Sequence, residues 1–144
     1  MSGTVPKVNE PDPTDRMPTI LIVEDEMLIR MALSDFLQEC GYKILEASCA
    51  GEALAMIQSE QSMIDLVFSD VKMPGDIDGF GLSKWIRANR PDLPVILASG
   101  HARKTDVAHE LCTQEPFITK PYDLHQVADQ IRENIDARKK GWLA

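Results

Sequence analysis

The sequence predicts an α/β fold in which five β-strands alternate with five helices around one parallel sheet. Two observations predict it. Short apolar runs rich in β-branched residues recur along the chain, and a segment with apolar residues at helical spacing follows each run. Strands that are apolar throughout are typical of parallel sheets covered by helices on both faces. The predicted fold class is therefore a doubly wound parallel sheet built from five βα units.

The first two βα units occupy the early part of the chain. Residues 19–23 (TILIV) are predicted as a strand buried on both faces. Apolar residues at helical spacing follow this strand, and Gly41 is a helix stop signal. Residues 42–47 are predicted as the second strand, and Ser48 as the N-cap of a helix that runs to about Ser59.

The third and fourth strands lie on either side of a glycine-rich loop and a helix. Residues 64–69 are predicted as the third strand, which ends at Asp70. The loop after it contains proline and glycine turn signals, and residues 94–98 are predicted as the fourth strand. The helix between them is predicted from one apolar stripe, formed by Leu82, Trp85 and Ile86.

The last two helices differ in predicted strength. Residues 102–112 are mostly polar, so the helix expected there is short and weakly packed. Residues 116–119 are predicted as the fifth strand. A strongly amphipathic helix follows it, with apolar positions at Leu124, Val127, Ala128, Ile131 and Ile135.

The chain of 144 residues is expected to form one domain. Residues 1–17 are rich in proline and polar residues and are predicted to be a disordered tail. The domain is expected to cover residues 18–138. Residues 139–144 are then a short C-terminal tail, with no output domain after it.

Composition excludes several classes of function. The apolar runs are too short for a membrane helix, and no signal peptide is visible, so no membrane contact is expected. A formal net charge of -8 argues against direct binding of nucleic acid. Three widely separated cysteines are expected to be reduced, buried thiols of a cytosolic protein, which predicts a cytoplasmic location (Cys40, Cys49 and Cys112).

Polar residues gather where the predicted strands end. In an open parallel sheet these ends share one edge, where such folds bind ligands. A single carboxylate at a strand end is often only a helix cap, whereas two acidic strand ends with a hydroxyl and a lysine are hard to assign to capping. The residues at these ends are Glu24, Asp25, Glu26, Asp70, Ser99, Gly100, Lys120 and Pro121.

This set of side chains suggests a phosphoryl-transfer chemistry. Carboxylates within a few ångströms of each other repel and favour a bound cation, and all-oxygen ligands suit Mg²⁺. An aspartate at a strand end can attack a phosphoryl group and become an acyl phosphate. Catalysis then consists mainly of positioning and of charge neutralisation, with the metal on one side and an ammonium group on the other. Ser99 is a candidate hydrogen-bond donor to a phosphoryl oxygen.

The segments ILIVEDE, FSDVKMPG, VILASG and ITKP resemble the signature segments of response-regulator receiver domains. The resemblance covers residues 18 to about 138, with all signature positions in order. It implies a flavodoxin-like (βα)5 fold with strand order 2-1-3-4-5, a bound Mg²⁺ ion and a role in phosphorelay signalling.

By this resemblance, Asp70 matches the phosphoacceptor of the family. Asp25 matches the direct Mg²⁺ ligand, and Glu24 matches the acidic neighbour that usually acts through water. The backbone carbonyl of Lys72 matches the third protein ligand of the metal. We also expect Lys72 and His101 to flank the phosphoryl site and to tune the access of water to it. For His101, an exposed loop histidine without such a role is an equal alternative.

The remaining matched positions are those that bind the phosphoryl group or change conformation on activation. Ser99, followed by Gly100, matches the switch hydroxyl, and Lys120 matches the phosphate-binding lysine. Phe117 matches the aromatic residue whose rotamer reports activation. The resemblance also implies a cis Lys120–Pro121 peptide bond.

Three positions depart from the commonest pattern of the family. Glu24 stands where Asp is more frequent and reaches one methylene further. Ser99 stands where Thr is more frequent, which is a mild change. Phe117 stands where Tyr is common, so its side chain can be buried but cannot form a hydrogen bond. None of these changes removes the expected chemistry.

The implied function is that of a stand-alone receiver. It would take a phosphoryl group from a sensor histidine kinase or a histidine phosphotransfer protein and catalyse no reaction besides its own phosphorylation and dephosphorylation. It would then dock on an unidentified protein target or pass the group onward. The signalling face is expected to consist of residues 102–112, the fifth strand and the last helix. The sequence does not decide whether the chain forms a homodimer.

Three alternatives remain at this stage. A phosphatase of the haloacid-dehalogenase type needs a second Asp two residues after the first, where this chain has Lys72. A nucleotide- or flavin-binding module needs a glycine-rich first loop, where this chain has EDEML. A degenerate receiver would bind partners without being phosphorylated, and only the intact acidic set argues against it.

Overall fold

The computed structural model describes residues 17–59, 63–100 and 117–139. Five parallel strands form one sheet in the order β2-β1-β3-β4-β5. The predicted strand order and the parallel sheet are therefore confirmed. The strands are β1 (Thr19–Val23), β2 (Lys43–Ala47), β3 (Leu66–Asp70), β4 (Val95–Ser99) and β5 (Phe117–Thr119).

Four helices are present in the described residues: α1 (Met27–Glu39), α2 (Ala50–Gln58), α3 (Gly79–Asn89) and a C-terminal helix (Leu124–Lys139). The helix predicted over residues 102–112 lies outside the described residues. Asp78 begins α3, because its side chain accepts a hydrogen bond of 2.9 Å from the Gly81 N–H. None of these helices is long and apolar enough to cross a membrane.

The sheet divides the core into two layers. Alternate residues of β1 point to opposite faces, so Leu21 and Val23 join one layer while Ile20 and Ile22 join the other. Residues of α2 and α3 complete the first layer. Residues of α1 and the C-terminal helix complete the second. This two-sided burial explains why β1, β3 and β4 are buried at every position and are apolar except at their ends.

Strand register brings the functional candidates to one edge of the sheet. Val23 pairs with Ser69, Asp70 pairs with Ala98, and Ser99 pairs with Thr119. The residues that follow β1, β3, β4 and β5 therefore emerge side by side, as the sequence predicted. This is the edge at which open α/β sheets bind ligands.

The opposite end of the sheet is closed by Arg138 of the C-terminal helix. Its Nη1 donates to the Asp65 carbonyl at 2.9 Å, and its Nη2 lies 3.3 Å from Oδ2 of Asp92. Asp65 in turn accepts a hydrogen bond of 2.8 Å from the Thr19 N–H. This network anchors the C-terminal helix at the end of the sheet away from the acidic edge.

Local predictions needed three corrections. The strand β3 begins at Leu66 rather than at Ile64, although Ile64 is buried. Ser48 does not cap α2, because its hydroxyl and its backbone N–H both donate to Oε1 of Glu52. The prediction of buried thiols is wrong for Cys40, which follows the end of α1 and is exposed, and Cys49 is only half-buried.

Candidate functional site

The first acidic residue of the site, Glu24, is held in place from several directions. It is only 2 % exposed, although it directly follows β1. Its N–H donates to the Ala47 carbonyl at 3.0 Å, which extends the pairing of β1 with β2 by one residue. Its Oε2 accepts a hydrogen bond of 3.0 Å from the Glu26 N–H. The neighbouring Asp25 is exposed at the mouth of the site.

Asp70 ends β3 with its carboxyl group against Lys120 and is 8 % exposed. The next residue, Val71, is held on both sides, since its N–H donates to the Ala98 carbonyl at 2.9 Å and its carbonyl accepts from the Gly79 N–H at 2.8 Å. The start of α3 therefore packs directly on the peptide that carries Asp70. This contact fixes the direction in which the carboxyl group leaves the sheet.

Lys120 joins the two buried carboxylates. Its Nζ lies 3.1 Å from Oδ2 of Asp70 and 3.7 Å from Oε1 of Glu24. Its N–H donates to the Ser99 carbonyl at 2.9 Å, which continues the pairing of β4 with β5. The Lys120–Pro121 peptide bond is cis, the isomer that the resemblance implies.

The aliphatic part of Lys120 lies against Gly100. A Cβ atom placed on Gly100 would be 3.2 Å from Cβ of Lys120, which is closer than most such contacts in proteins. The absence of a side chain at position 100 therefore leaves room for the lysine to extend toward Asp70.

Burial governs the electrostatics of the site. Burial raises the pKa of Glu24 to about 7, and the nearby Asp70 carboxylate adds to this rise while Lys120 opposes it. Burial also raises the pKa of Asp70 above its ordinary value, again against the effect of Lys120. Burial alone would lower the pKa of Lys120, but Asp70 and Glu24 raise it instead. Two carboxylates that share one ammonium group favour a further cation.

Three carboxylates are placed to hold that cation. One oxygen each of Glu24, Asp25 and Asp70 lies within 4.8 Å of the others. A set of carboxylate oxygens fits a hard divalent cation such as Mg²⁺, which also retains water ligands. Asp25 also lines an open cleft of about 360 Å³ beside the cluster, whose other lining residues are Lys72, Met73, Pro74 and Asp78.

The other predicted site residues lie around this cluster. Ser99 ends β4, is 2 % exposed and pairs with Thr119. The side chain of Lys72 is exposed at the cleft. Phe117 starts β5 and is half-buried against the core layer that contains α2 and α3. His101 lies outside the described residues.

Sequence patterns alone did not identify three residues near the site. Arg30 donates from Nη1 to the Glu24 carbonyl at 2.8 Å. Gly79 was recognised only as part of a loop, whereas its N–H donates to the Val71 carbonyl and its Cα lies close to the Asp70 carbonyl oxygen. Burial raises the pKa of Tyr122 to about 12, and its buried hydroxyl has no hydrogen-bond partner among the described residues.

Comparison with known proteins identifies the class of the molecule. The family model of the response regulator receiver domain matches residues 20–132, and the chain belongs to this family. Members of this family are signalling domains of two-component systems that work with histidine kinases or phosphotransfer proteins. This assignment decides against the phosphatase and the flavin-binding alternatives.

Individual relatives agree with this assignment. The chain is 36% identical over 120 residues to the sensor kinase CckA of Brucella abortus, which is 82% of this chain and 12% of the relative. It is 34% identical over 142 residues to the two-component response regulator ARR2 of Arabidopsis thaliana, which is 98% of this chain and 21% of the relative. The chain therefore spans only a minor part of these two curated relatives.

Solved structures show the same fold. A CheY-like receiver domain protein from Methanospirillum hungatei superposes with a TM-score of 0.78 at 29% identity, covering 87% of this chain and 98% of that one. The response regulator TrrA from Thermotoga maritima, in complex with Mg²⁺ and BeF, superposes with a TM-score of 0.70 at 30% identity. That match covers 82% of this chain and 99% of TrrA.

Proposed function

We propose that this receiver accepts a phosphoryl group on Asp70 from a sensor histidine kinase or a histidine phosphotransfer protein. The observation that carries the proposal is the approach of Lys120 Nζ to within 3.1 Å of Oδ2 of Asp70, inside a cluster of three carboxylates. A nucleophilic carboxylate beside a fixed ammonium group and a cation site is the arrangement that phosphoryl transfer requires.

Mg²⁺ is the proposed cofactor. Glu24, Asp25 and Asp70 would hold it with the backbone carbonyl of Lys72, and Glu24 would act through a water molecule. The ligand chemistry of the cluster and the Mg²⁺ in the TrrA complex both support this choice. When bound, the ion neutralises charge on the phosphoryl oxygens and thereby lowers the barrier to transfer.

The protein's own groups have defined parts in the transfer. One carboxylate oxygen of Asp70 attacks phosphorus as the bond to the donor's imidazole nitrogen breaks, and a proton restores the neutral imidazole. Lys120 neutralises the negative charge on the phosphoryl oxygens. Because Asp70 is almost fully buried while Asp25 is the exposed carboxylate of the described cluster and lines the cleft, we expect the donor to approach from the side of the cleft.

A switch follows from the positions of Ser99 and Phe117. In the proposal, the Ser99 hydroxyl donates a hydrogen bond to a phosphoryl oxygen and moves toward it. Phe117 is half-buried at the edge of the sheet, and in the proposal its ring becomes more buried when Ser99 moves. Phosphorylation would thereby shift a pre-existing equilibrium of the expected signalling face, whose described parts are β5 and the C-terminal helix, for docking or for onward transfer.

An exposed apolar surface supports docking of a phosphodonor beside the site. Met27, Leu28 and Met31 at the start of α1 are 59%, 76% and 47% exposed. They follow the acidic residues after β1 directly, so a partner seated on them would face the cluster. Adjacent exposed apolar side chains of this kind mark interaction surfaces.

Phosphoryl transfer from a labelled donor tests the proposal. We expect the chain to take the label from at least one member of a panel of autophosphorylated histidine kinases, and only when Mg²⁺ is present. The label should be lost on treatment with hydroxylamine, which cleaves acyl phosphates. If no donor labels the chain, and acetyl phosphate does not modify it either, the protein is a degenerate receiver and the proposal is wrong.

A further inference from the structure

Arg30 connects the acidic loop after β1 to the neighbouring strand β2. It lies in the first turns of α1, and its side chain is 17% exposed. Its Nη1 donates to the Glu24 carbonyl at 2.8 Å, and its Nε donates to Oε1 of Glu46 at 3.0 Å. The planar guanidinium group can make both contacts at once because its donors point in fixed, divergent directions.

The Glu24 carbonyl belongs to the peptide that joins the two acidic residues. Its orientation sets the directions in which the side chains of Glu24 and Asp25 leave the backbone. The Glu24 N–H is already bonded to the Ala47 carbonyl, so the bond from Arg30 fixes the other side of the same residue. Glu46 lies on β2 next to Ala47. Arg30 therefore links the loop after β1 to β2, the outermost strand on that side of the sheet.

We propose that Arg30, oriented by Glu46, is a positioning residue for the cation site. Its contribution is to hold the loop so that the carboxylates converge before the cation arrives. Groups outside the ligand set that orient metal ligands typically change metal affinity by 10–100-fold when removed. This inference rests on the proposed function in one respect, since it assumes that the acidic cluster binds Mg²⁺.

The sign of the effect separates positioning from simple electrostatics. Arg30 is a cation close to a cation site, so its charge alone opposes the binding of Mg²⁺. If it acted only through charge, neutralising it would tighten binding. Positioning predicts the opposite result, namely weaker binding without Arg30. Replacement by lysine sharpens the distinction, because lysine keeps the charge but cannot reproduce the two directed hydrogen bonds.

Calorimetric titration of the phosphate-free protein with Mg²⁺ tests this inference. In Arg30→Gln we expect the dissociation constant to rise roughly ten-fold. In Arg30→Lys, which keeps the opposing charge but loses the paired hydrogen bonds, we expect a rise of at least a similar size. Arg132→Gln is the matched control, because Arg132 is an exposed arginine paired only along the C-terminal helix with Asp129 in the described contacts. It should bind Mg²⁺ within two-fold of the wild type.

Circular dichroism checks that each variant is folded, and only variants with the wild-type spectrum are titrated. Unchanged or tighter binding in Arg30→Gln would overturn the positioning role, and so would wild-type affinity in Arg30→Lys. Should Arg30→Gln fail to fold, Arg30→Lys alone decides. If the wild type itself does not bind Mg²⁺, both the proposed cofactor and the role of Arg30 are wrong. The titration of the wild type shows this before any variant is compared.

Discussion

Lys120→Ala is expected to slow phosphoryl uptake from acetyl phosphate about hundred-fold. The Lys120 ammonium lies 3.1 Å from Asp70, where negative charge accumulates during transfer. Removal of one fixed donor of this kind typically costs two to three powers of ten in rate, and we take the lower figure because the lysine side chain is 25% exposed. The rate of adduct formation, followed by intact mass, is the measurement.

Mg²⁺ binding should change in the opposite direction in the same variant. Lys120 is also 3.7 Å from Glu24, so it competes with a metal cation for both buried carboxylates. Lys120→Ala should therefore bind Mg²⁺ more tightly while it reacts more slowly. Lys43→Ala serves as a control, because Lys43 is exposed at the far end of β2 and neither quantity should change. A variant that loses both Mg²⁺ binding and reactivity would instead indicate a collapsed site and contradict this role.

Gly79→Ala is expected to destabilise the fold by about 2 kcal/mol and to displace Asp70. A Cβ atom on Gly79 would collide with the Asp70 carbonyl oxygen and lie 2.7 Å from the Cα atom of Val71. Both atoms belong to the backbone, so no side-chain rotation relieves the contact. Either α3 or the end of β3 has to move, and the second movement shifts the proposed phosphoacceptor. Urea unfolding and the rate of adduct formation measure the two effects.

Gly51→Ala provides the matched control for this substitution. Gly51 also lies in the first turn of a helix, α2, but a Cβ atom there would meet only Sγ of Cys49, at 3.9 Å. We expect Gly51→Ala to leave uptake unchanged and to stabilise the fold by up to about 1 kcal/mol, since alanine is the better helix former. Equal behaviour of the two variants would show that the close approach of α3 to Asp70 does not constrain the site.

Much of the fold was predictable because short unbroken apolar runs alternate with segments whose apolar residues recur at helical spacing. The strand residues 19–23 are buried on both faces and therefore lack any alternation, and their shortness and β-branched content distinguish them from a buried helix. Helix ends were less predictable. The Ser48 side chain had two options, capping α2 or donating to Glu52, and the choice depends on a glutamate conformation that the sequence does not specify.

The site was predictable to the extent that strand ends carry it. The neighbouring strands β1, β3, β4 and β5 each place one polar residue at the carboxyl end, so the strand order alone brings these residues together. They are Glu24, Asp70, Ser99 and Lys120. Arg30 and Gly79 were not predictable in the same way. Arg30 matters because it binds a backbone carbonyl, and Gly79 matters because the backbone approaches it closely. The type of side chain does not indicate either role.

Intact mass spectrometry shows directly whether Asp70 takes the phosphoryl group. Wild type and Asp70→Asn are incubated with acetyl phosphate, with and without Mg²⁺. We expect one phosphoryl adduct on the wild type that requires Mg²⁺, and none on Asp70→Asn, which keeps the size of the side chain but removes the nucleophilic carboxylate. An equal adduct on both proteins, or an adduct on the wild type that forms without Mg²⁺, would show that Asp70 is not a Mg²⁺-dependent phosphoacceptor.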